Sequence, residues 1–172
     1  MENTKRPLAV GLTVLGAVAR LLPHPPNFAP VGSVSLFGGA RLRGWQAYAL
    51  PLALMAVTDP LVGGYNAATP FVYASFLITV WLGRMLRASE SPWRIGTVCA
   101  VSSVQFFLLT NFGMWLMTAM YPHTAAGLAL CYVNALPFFG RTLAADLLYS
   151  GALFGMHAWL SRALYRPERV AA

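Results

Sequence analysis

Basic residues are clustered along a chain that is otherwise strongly apolar. The 172-residue sequence is 58% hydrophobic, and ten of its 12 Lys and Arg residues fall into four clusters. The clusters are Lys5/Arg6, Arg41/Arg43, Arg84/Arg87/Arg94 and Arg162/Arg166/Arg169. Between successive clusters lie apolar stretches interrupted by one turn that holds few or no basic residues. A chain that crosses a bilayer repeatedly, with its Lys and Arg on the cytoplasmic side, has this pattern.

The composition excludes an ordinary soluble domain. Only 10% of the residues are charged, whereas a soluble domain is about one quarter charged. The net charge of +7 would suggest nucleic acid in a soluble protein, but no basic helix or aromatic-basic platform lies outside the apolar stretches. We therefore predict a multi-pass protein of the bacterial cytoplasmic (inner) membrane, with the lipid bilayer and not nucleic acid as its partner.

The apolar stretches predict an all-α membrane protein with six spans in a single domain, residues 1–172. A spanning helix needs about 20 apolar residues, fewer where the bilayer thins. The predicted spans are 8–22, 28–40, 45–62, 70–86, 95–118 and 142–165. Residues 124–138 are apolar but too short to span, and we expect a non-spanning helix at the outer face there.

Charge decides whether residues 28–62 form one helix or two. One helix would leave five spans and would put the third basic cluster on the opposite side from the first. Two short helices with a turn at residues 41–44 put all four clusters on one side, with both termini cytoplasmic. The prediction is therefore six spans with a short second helix.

Polar residues collect in the half of the predicted bundle away from the basic clusters. An ionisable group at a helix centre in the membrane costs about 2.5–3.5 kcal/mol and usually faces a cavity or a partner. Nine residues are candidates for ligand binding, with the two aromatic ones as apolar walls: Asn27, Asp59, Asn66, Asn111, Trp115, Tyr121, Asn134, Arg141 and Asp146.

Arg20 and Arg141 are the two basic residues outside the clusters, and both map to the outer side. Asp146 lies little more than one helical turn after Arg141, so the two could pair on one helical face. Either this pair secures the helix end, or one member points into a cavity and binds a ligand. A structural role and a ligand role both stay open for Asp59 and for Asn111. Arg141 is the first residue that this pattern singles out for function.

Catalytic and metal-binding motifs are absent from the sequence. It has no nucleophile elbow, HExxH motif or phosphate loop, and its three histidines are not spaced for one metal site. Cys99 and Cys131 form no CxxC pair and are typical of small buried hydrophobic residues. We predict a protein that is not an enzyme and has no metal or cofactor, so any ATP hydrolysis would belong to other chains.

Several segments resemble a family of small bacterial membrane proteins of uncharacterised function. They are residues 20–32, 36–40, 70–73, 110–113, 121–122, 124–128, 134–139 and 146–149, and the most distinctive begins RLLPHPPNF at Arg20. That family is similar to the substrate-binding S components of energy-coupling factor (ECF) transporters. The resemblance implies a six-helix bundle that binds a vitamin or similar micronutrient near the outer face. It also implies partners, namely a membrane coupling subunit and two ATPases.

The first helix departs from the pattern of S components. These proteins usually contact the coupling subunit through small residues in that helix. A small-residue surface is present here, but the AxxxA spacing is not clean: Ala9, Gly11, Thr13, Gly16 and Ala17. Coupling to an ECF module and solitary action both stay open.

Two other functions compete with a substrate-binding subunit for uptake. One is a structural or assembly subunit without its own ligand, which a tightly packed outer half would favour. The other is a membrane enzyme that acts on a lipophilic substrate with Asp59 or Asp146 and with His24 or His123.

Overall fold

A computed structural model describes residues 5–87 and 89–165, and the regular secondary structure of these ranges is entirely helical. Arg166 and Arg169 of the fourth basic cluster lie outside the described residues. The α-helices are α1 (Arg6–Ala19), α2 (Val31–Arg41), α3 (Gln46–Val62), α4 (Thr69–Gly83), α5 (Pro92–Met117) and α6 (Ala125–Leu164), and a 3-10 turn at Arg84–Leu86 extends α4. The predicted all-helical class is confirmed.

Proline and glycine explain several of the helix boundaries. Pro7, Pro70 and Pro92 lie in the first turns of α1, α4 and α5, where the missing N–H of proline has no helical partner to lose. The turn between α2 and α3 contains Gly44 with φ of +56°, a conformation that glycine adopts without a steric cost. The predicted division of residues 28–62 into two helices, with a short second helix, is therefore confirmed.

Helix α2 lies at the centre of the bundle and contacts every other helix. All residues from Ser33 to Ala40 are buried. Phe37 packs edge to face on Phe154 of α6, with ring centroids 5.2 Å apart. The 11 residues of α2 extend about 16 Å. A helix this short can serve as the core because its neighbours enclose it on all sides.

Two glycines allow α2 and α4 to approach each other closely. A Cβ atom on Gly39 of α2 would overlap the carbonyl group of Val80, and one on Gly83 of α4 would overlap the carbonyl group of Leu36. Small residues at a crossing bring two backbones into direct contact and increase the van der Waals contact between helices. The α2–α4 crossing therefore depends on glycine in both helices.

Helix α6 is continuous over 40 residues, so the separate non-spanning helix predicted at residues 124–138 is wrong. Thr124 caps the helix, because its hydroxyl accepts a hydrogen bond from the N–H of Gly127 at 3.1 Å. Pro137 lies inside the helix, where a proline removes one backbone hydrogen bond while the flanking Ala and Leu residues favour helix. Neither Pro137 nor Arg141 interrupts the backbone, and the last predicted span is the second half of a longer helix.

The described residues of the four basic clusters lie at one end of the bundle. Arg41 at the end of α2 donates a hydrogen bond to the carbonyl oxygen of Leu86 at 3.0 Å. Arg162, near the end of α6, lies 3.5 Å from Glu90, just before α5. One pocket at this end is lined by Lys5, Arg6, Arg41, Arg43 and Arg87. This end is named the basic end, and the other is named the opposite end.

Helices α5 and α6 are each long and apolar enough to cross a membrane. Large apolar side chains on their outer surfaces are exposed, among them Leu108, Leu116 and Val133. Leu108 and Leu116 belong to the predicted span 95–118, whereas Val133 belongs to residues 124–138, for which the sequence predicts a non-spanning helix. The prediction of apolar helices of spanning length is confirmed for these two helices.

Candidate ligand-binding site

A cavity of about 400 Å³ lies at the opposite end of the bundle. Each of the six helices, or the loop that follows it, contributes to the wall. The polar lining consists of Arg20, His24, Asn27, Thr142 and Asp146. The apolar lining includes Val31, Met55, Val72, Phe76 and Phe106. A cavity of this size, with apolar walls and a few convergent polar groups, has the general character of a small-molecule site.

Arg20 and Asp59 form a largely buried ion pair at the rim of this cavity. Arg20 Nη1 lies 2.6 Å from Asp59 Oδ1, and the two side chains are 16% and 9% exposed. The same nitrogen donates to the hydroxyl oxygen of Thr58 at 3.0 Å. The hydroxyl of Tyr73 donates to Asp59 Oδ2 at 2.6 Å. Both oxygens of Asp59 are therefore occupied, and the pair ties α1, α3 and α4 together.

The loop between α1 and α2 places His24 and Asn27 over the cavity. His24 Nε2 lies 3.1 Å from the carbonyl oxygen of Arg20, which holds the loop against the end of α1. Asn27 has φ of +62°, in the left-handed region that asparagine tolerates better than most residues. Its amide group makes no hydrogen bond with residues 5–87 or 89–165. That amide is available to a ligand.

Asp146 is a buried carboxylate in the cavity wall, with 6% exposure. Its Oδ2 accepts a hydrogen bond from the hydroxyl of Ser103 at 2.7 Å, and its backbone carbonyl accepts one from Ser33 at 2.9 Å. Its Oδ1 lies beside Gly32, at the position that a Cβ of residue 32 would occupy. Within the described ranges, no Lys or Arg forms an ion pair with Asp146.

The predicted pair between Arg141 and Asp146 is wrong. Five helical residues correspond to a rotation of about 140°, so the two side chains leave α6 in different directions. Arg141 is exposed on the outside of the helix, whereas Asp146 faces α2 and α5. The two residues do not pair, and Arg20, the other basic residue outside the clusters, forms an ion pair with Asp59 instead.

A smaller cavity of about 160 Å³ adjoins the first and shares Asn27, Phe106 and Thr142 with it. Asn111 lines this second space. The Asn111 amide nitrogen donates to the carbonyl oxygen of Phe107 one turn earlier, at 2.8 Å. Asn27, Asn111 and Asp146 are thus the predicted binding residues that line the two adjoining cavities. Asp59 lines neither, but it forms an ion pair with the lining residue Arg20.

The remaining predicted binding residues lie elsewhere. The Asn66 side chain accepts a hydrogen bond from the N–H of Ala68 at 2.9 Å and shapes the α3–α4 turn. The indole of Trp115 donates to the carbonyl oxygen of Pro122 at 2.9 Å. The amide of Asn134 donates to the hydroxyl of Tyr121 at 3.4 Å. These four residues have local structural partners and do not line either cavity.

Histidines and cysteines give no metal centre in the described part of the chain, where no three His, Cys, Asp or Glu side chains converge. His24 lies at the cavity, while the ring of His123 lies 5.6 Å from that of Trp115. Cys99 and Cys131 are both buried free thiols, as predicted for small hydrophobic residues.

Several residues that line the cavity or hydrogen-bond to its aspartates are not among the binding residues predicted from the sequence. Arg20 carries a visible signal, because it is one of two basic residues outside the clusters. Ser103 and Phe106 lie within the long apolar stretch of α5 and carry none. Tyr73 is equally ordinary in the sequence, and its role depends on α4 packing beside the end of α3.

Comparison with known proteins identifies a family but no function. No curated protein and no solved structure matches the chain. A family described as "Family of unknown function (DUF6580)" matches residues 1–169, nearly the whole chain. The chain therefore belongs to this family of unknown function, DUF6580.

Proposed function

We propose that the chain is a six-span membrane protein that binds a small organic micronutrient in the cavity at the opposite end. In this proposal it is a substrate-binding subunit for uptake, similar to the S components of ECF transporters. One observation carries the proposal: elements from all six helices surround a cavity that contains a buried carboxylate, Asp146, without a cationic partner in the described residues. A buried carboxylate of this kind favours a cavity role over tight helix packing.

The distribution of basic residues supports a membrane orientation. Lys and Arg are enriched in cytoplasmic loops of membrane proteins, so the basic end faces the cytoplasm and the cavity opens outward. Helices α1 to α4 have 14, 11, 17 and 15 residues, which corresponds to about 16–26 Å. A hydrocarbon core is about 30 Å thick. Local thinning of the bilayer around these short helices resolves the difference.

The cavity favours a ligand that carries a protonated nitrogen or another strong hydrogen-bond donor. Asp146 supplies negative charge that no described Lys or Arg neutralises. The amide of Asn27 can accept and donate beside it. Phe76 and Phe106 provide apolar walls, and the volume of about 400 Å³ suits a ligand of vitamin size.

The small residues of α1 help to decide whether the protein acts with an ECF coupling subunit or alone. Ala9, Thr13, Gly16 and Ala17 are buried against the bundle, whereas a Cβ on Gly11 would meet nothing within 4 Å. Most of the small-residue surface is therefore used for packing inside the chain. This favours a solitary transporter, or a coupling subunit that docks on a different face.

The test begins with purification of the full chain from its native membranes and mass spectrometry of the small molecules that co-purify. Binding of the identified molecule is then measured for the parent protein, for Asp146→Asn and for Arg141→Ala. Asp146→Asn should weaken binding at least about tenfold, because a charge-assisted hydrogen bond is lost. Arg141→Ala is the matched control, an exposed charge on the same helix, and should bind normally.

Thermal unfolding of each variant separates loss of binding from loss of fold. If the Asp146→Asn protein is folded and binds with the affinity of the parent, the carboxylate of Asp146 is not part of the binding site. Absence of any specific small molecule would favour an assembly subunit, whose exposed apolar α5 and α6 surfaces would then contact another protein rather than lipid.

A further inference from the structure

The pocket at the basic end has the composition of an anion-binding site. It measures about 480 Å³ and is built from the start of α1, the end of α2, the α4–α5 connection and the second half of α6. Five cationic side chains and one carboxylate, Glu90, contribute to its wall. Glu90 also lies 3.5 Å from Arg162, which reduces the negative charge that it offers to the pocket. A concave surface of one sign attracts ions of the other.

Arg41 is fixed in this pocket by hydrogen bonds to uncharged carbonyl groups, and Glu90 is the carboxylate in the same wall. Its guanidinium donates to the carbonyl oxygens of Leu86 and Ser89 at 3.0 and 2.9 Å. The same group lies 5.0 Å from the centre of the Phe154 ring. Within the described residues Arg41 forms no salt bridge. Such an oriented guanidinium is suited to a phosphate, because little side-chain freedom is lost on binding.

His157 adds a polar ring to the wall of the same pocket. It lines the same pocket and is 7% exposed. Its ring packs edge to face on Phe37, with centroids 5.6 Å apart. Neither ring nitrogen forms a hydrogen bond within the described part of the chain. The ring is largely buried, but its nitrogens are not sealed off from the pocket, so they can form hydrogen bonds with a group bound there.

We infer that the basic-end pocket binds a phosphate group, held by Arg41, Arg87 and His157. The phosphate belongs either to the headgroup of an anionic lipid or to a soluble phosphate compound. Both sources present the same negatively charged acceptor oxygens. This site is separate from the cavity at the opposite end, and it does not depend on what that cavity binds.

The experiment uses the purified full chain in detergent. Native mass spectrometry measures binding of cardiolipin and of phosphatidylcholine, and a titration measures binding of inorganic pyrophosphate. The variants are Arg87→Gln and His157→Gln. The matched control is Arg94→Gln, because Arg94 lies at the same end but is exposed, donates to the carbonyl oxygen of Met85 and does not line the pocket.

The parent protein should prefer cardiolipin over phosphatidylcholine, and each pocket variant should lose about tenfold in affinity for the phosphate probe while Arg94→Gln retains it. Cardiolipin binding that pyrophosphate does not displace assigns the site to a lipid headgroup. Displacement, or binding of pyrophosphate without lipid, assigns it to a soluble phosphate compound. An equal loss of affinity in Arg94→Gln would overturn the proposal, because binding would then depend on the overall positive charge and not on the pocket. No binding of either probe would overturn it as well.

Discussion

Arg20 Nη1 lies 2.6 Å from Asp59 Oδ1 and joins the end of α1 to the last part of α3. The two residues are far apart in the sequence, and both are largely removed from solvent. Together with the hydrogen bond from Tyr73 to Asp59, this pair fixes the rim of the cavity. The opposite end of the bundle is therefore held by a specific polar network as well as by apolar packing.

The first prediction concerns the stability that this ion pair confers. Arg20→Ala should lower the free energy of unfolding by about 3 kcal/mol, because it leaves a mostly buried carboxylate without its cation. Arg20→Ala combined with Asp59→Ala should cost less than the sum of the single changes. Thermal or denaturant unfolding in detergent measures both. Arg162→Ala is the control: it breaks the exposed pair with Glu90 and should cost less than about 1 kcal/mol. Equal effects of Arg20→Ala and Arg162→Ala would contradict this interpretation.

The second prediction concerns the position of Asp146. Gly32→Ala adds a Cβ atom where Asp146 Oδ1 lies, so the carboxylate must shift, which disturbs its hydrogen bond with Ser103. We expect ligand affinity to fall about tenfold, with a stability loss of about 1–3 kcal/mol from overpacking. Gly11→Ala is the control, since its Cβ would meet nothing within 4 Å. Unchanged affinity in a folded Gly32→Ala protein would show that the carboxylate can shift freely.

The third prediction concerns the α2–α4 crossing. Gly39→Ala should destabilise the protein by at least about 2 kcal/mol, because the added methyl group meets the backbone of Val80 and not a movable side chain. Gly151→Ala on α6 has open space around its Cβ and should raise stability by up to about 1 kcal/mol through helix propensity. Chemical unfolding followed by circular dichroism reports both changes. A neutral Gly39→Ala would mean that the two helices separate at little cost.

The fourth prediction concerns the continuity of α6. Spin labels at Leu130→Cys and Trp159→Cys, two exposed positions on the helix, should be separated by about 44 Å along the axis. Pulsed electron paramagnetic resonance measures this distance. The parent protein, treated with the same spin label, is the control for labelling of the buried Cys99 and Cys131. A distance shorter by more than about 10 Å would indicate that the chain folds back near Pro137.

Part of the candidate site follows from the sequence and part does not. Asn27, Asp59, Asn111 and Asp146 are predicted because polar residues in apolar stretches need partners or a cavity. Asn66, Trp115, Tyr121 and Asn134 satisfy the same criterion, yet they use local hydrogen bonds at turns and helix ends. A polar residue in an apolar stretch is selected in either case. The sequence does not distinguish the residues that line the cavity from those with local hydrogen-bond partners.

The sequence by itself determines the helical class, the turn at residues 41–44 and the division into two short helices there. These features follow from local hydropathy, charge and glycine, which act over a few residues. The meeting of the basic clusters at one end follows from the same pattern, because each turn reverses the chain. Tertiary structure alone decides that Asp59 pairs with Arg20 and that Asp146 faces Ser103 while Arg141 points outward. Those relationships depend on the rotation of each helix about its axis and on which faces pack together, and no single segment of the chain encodes either.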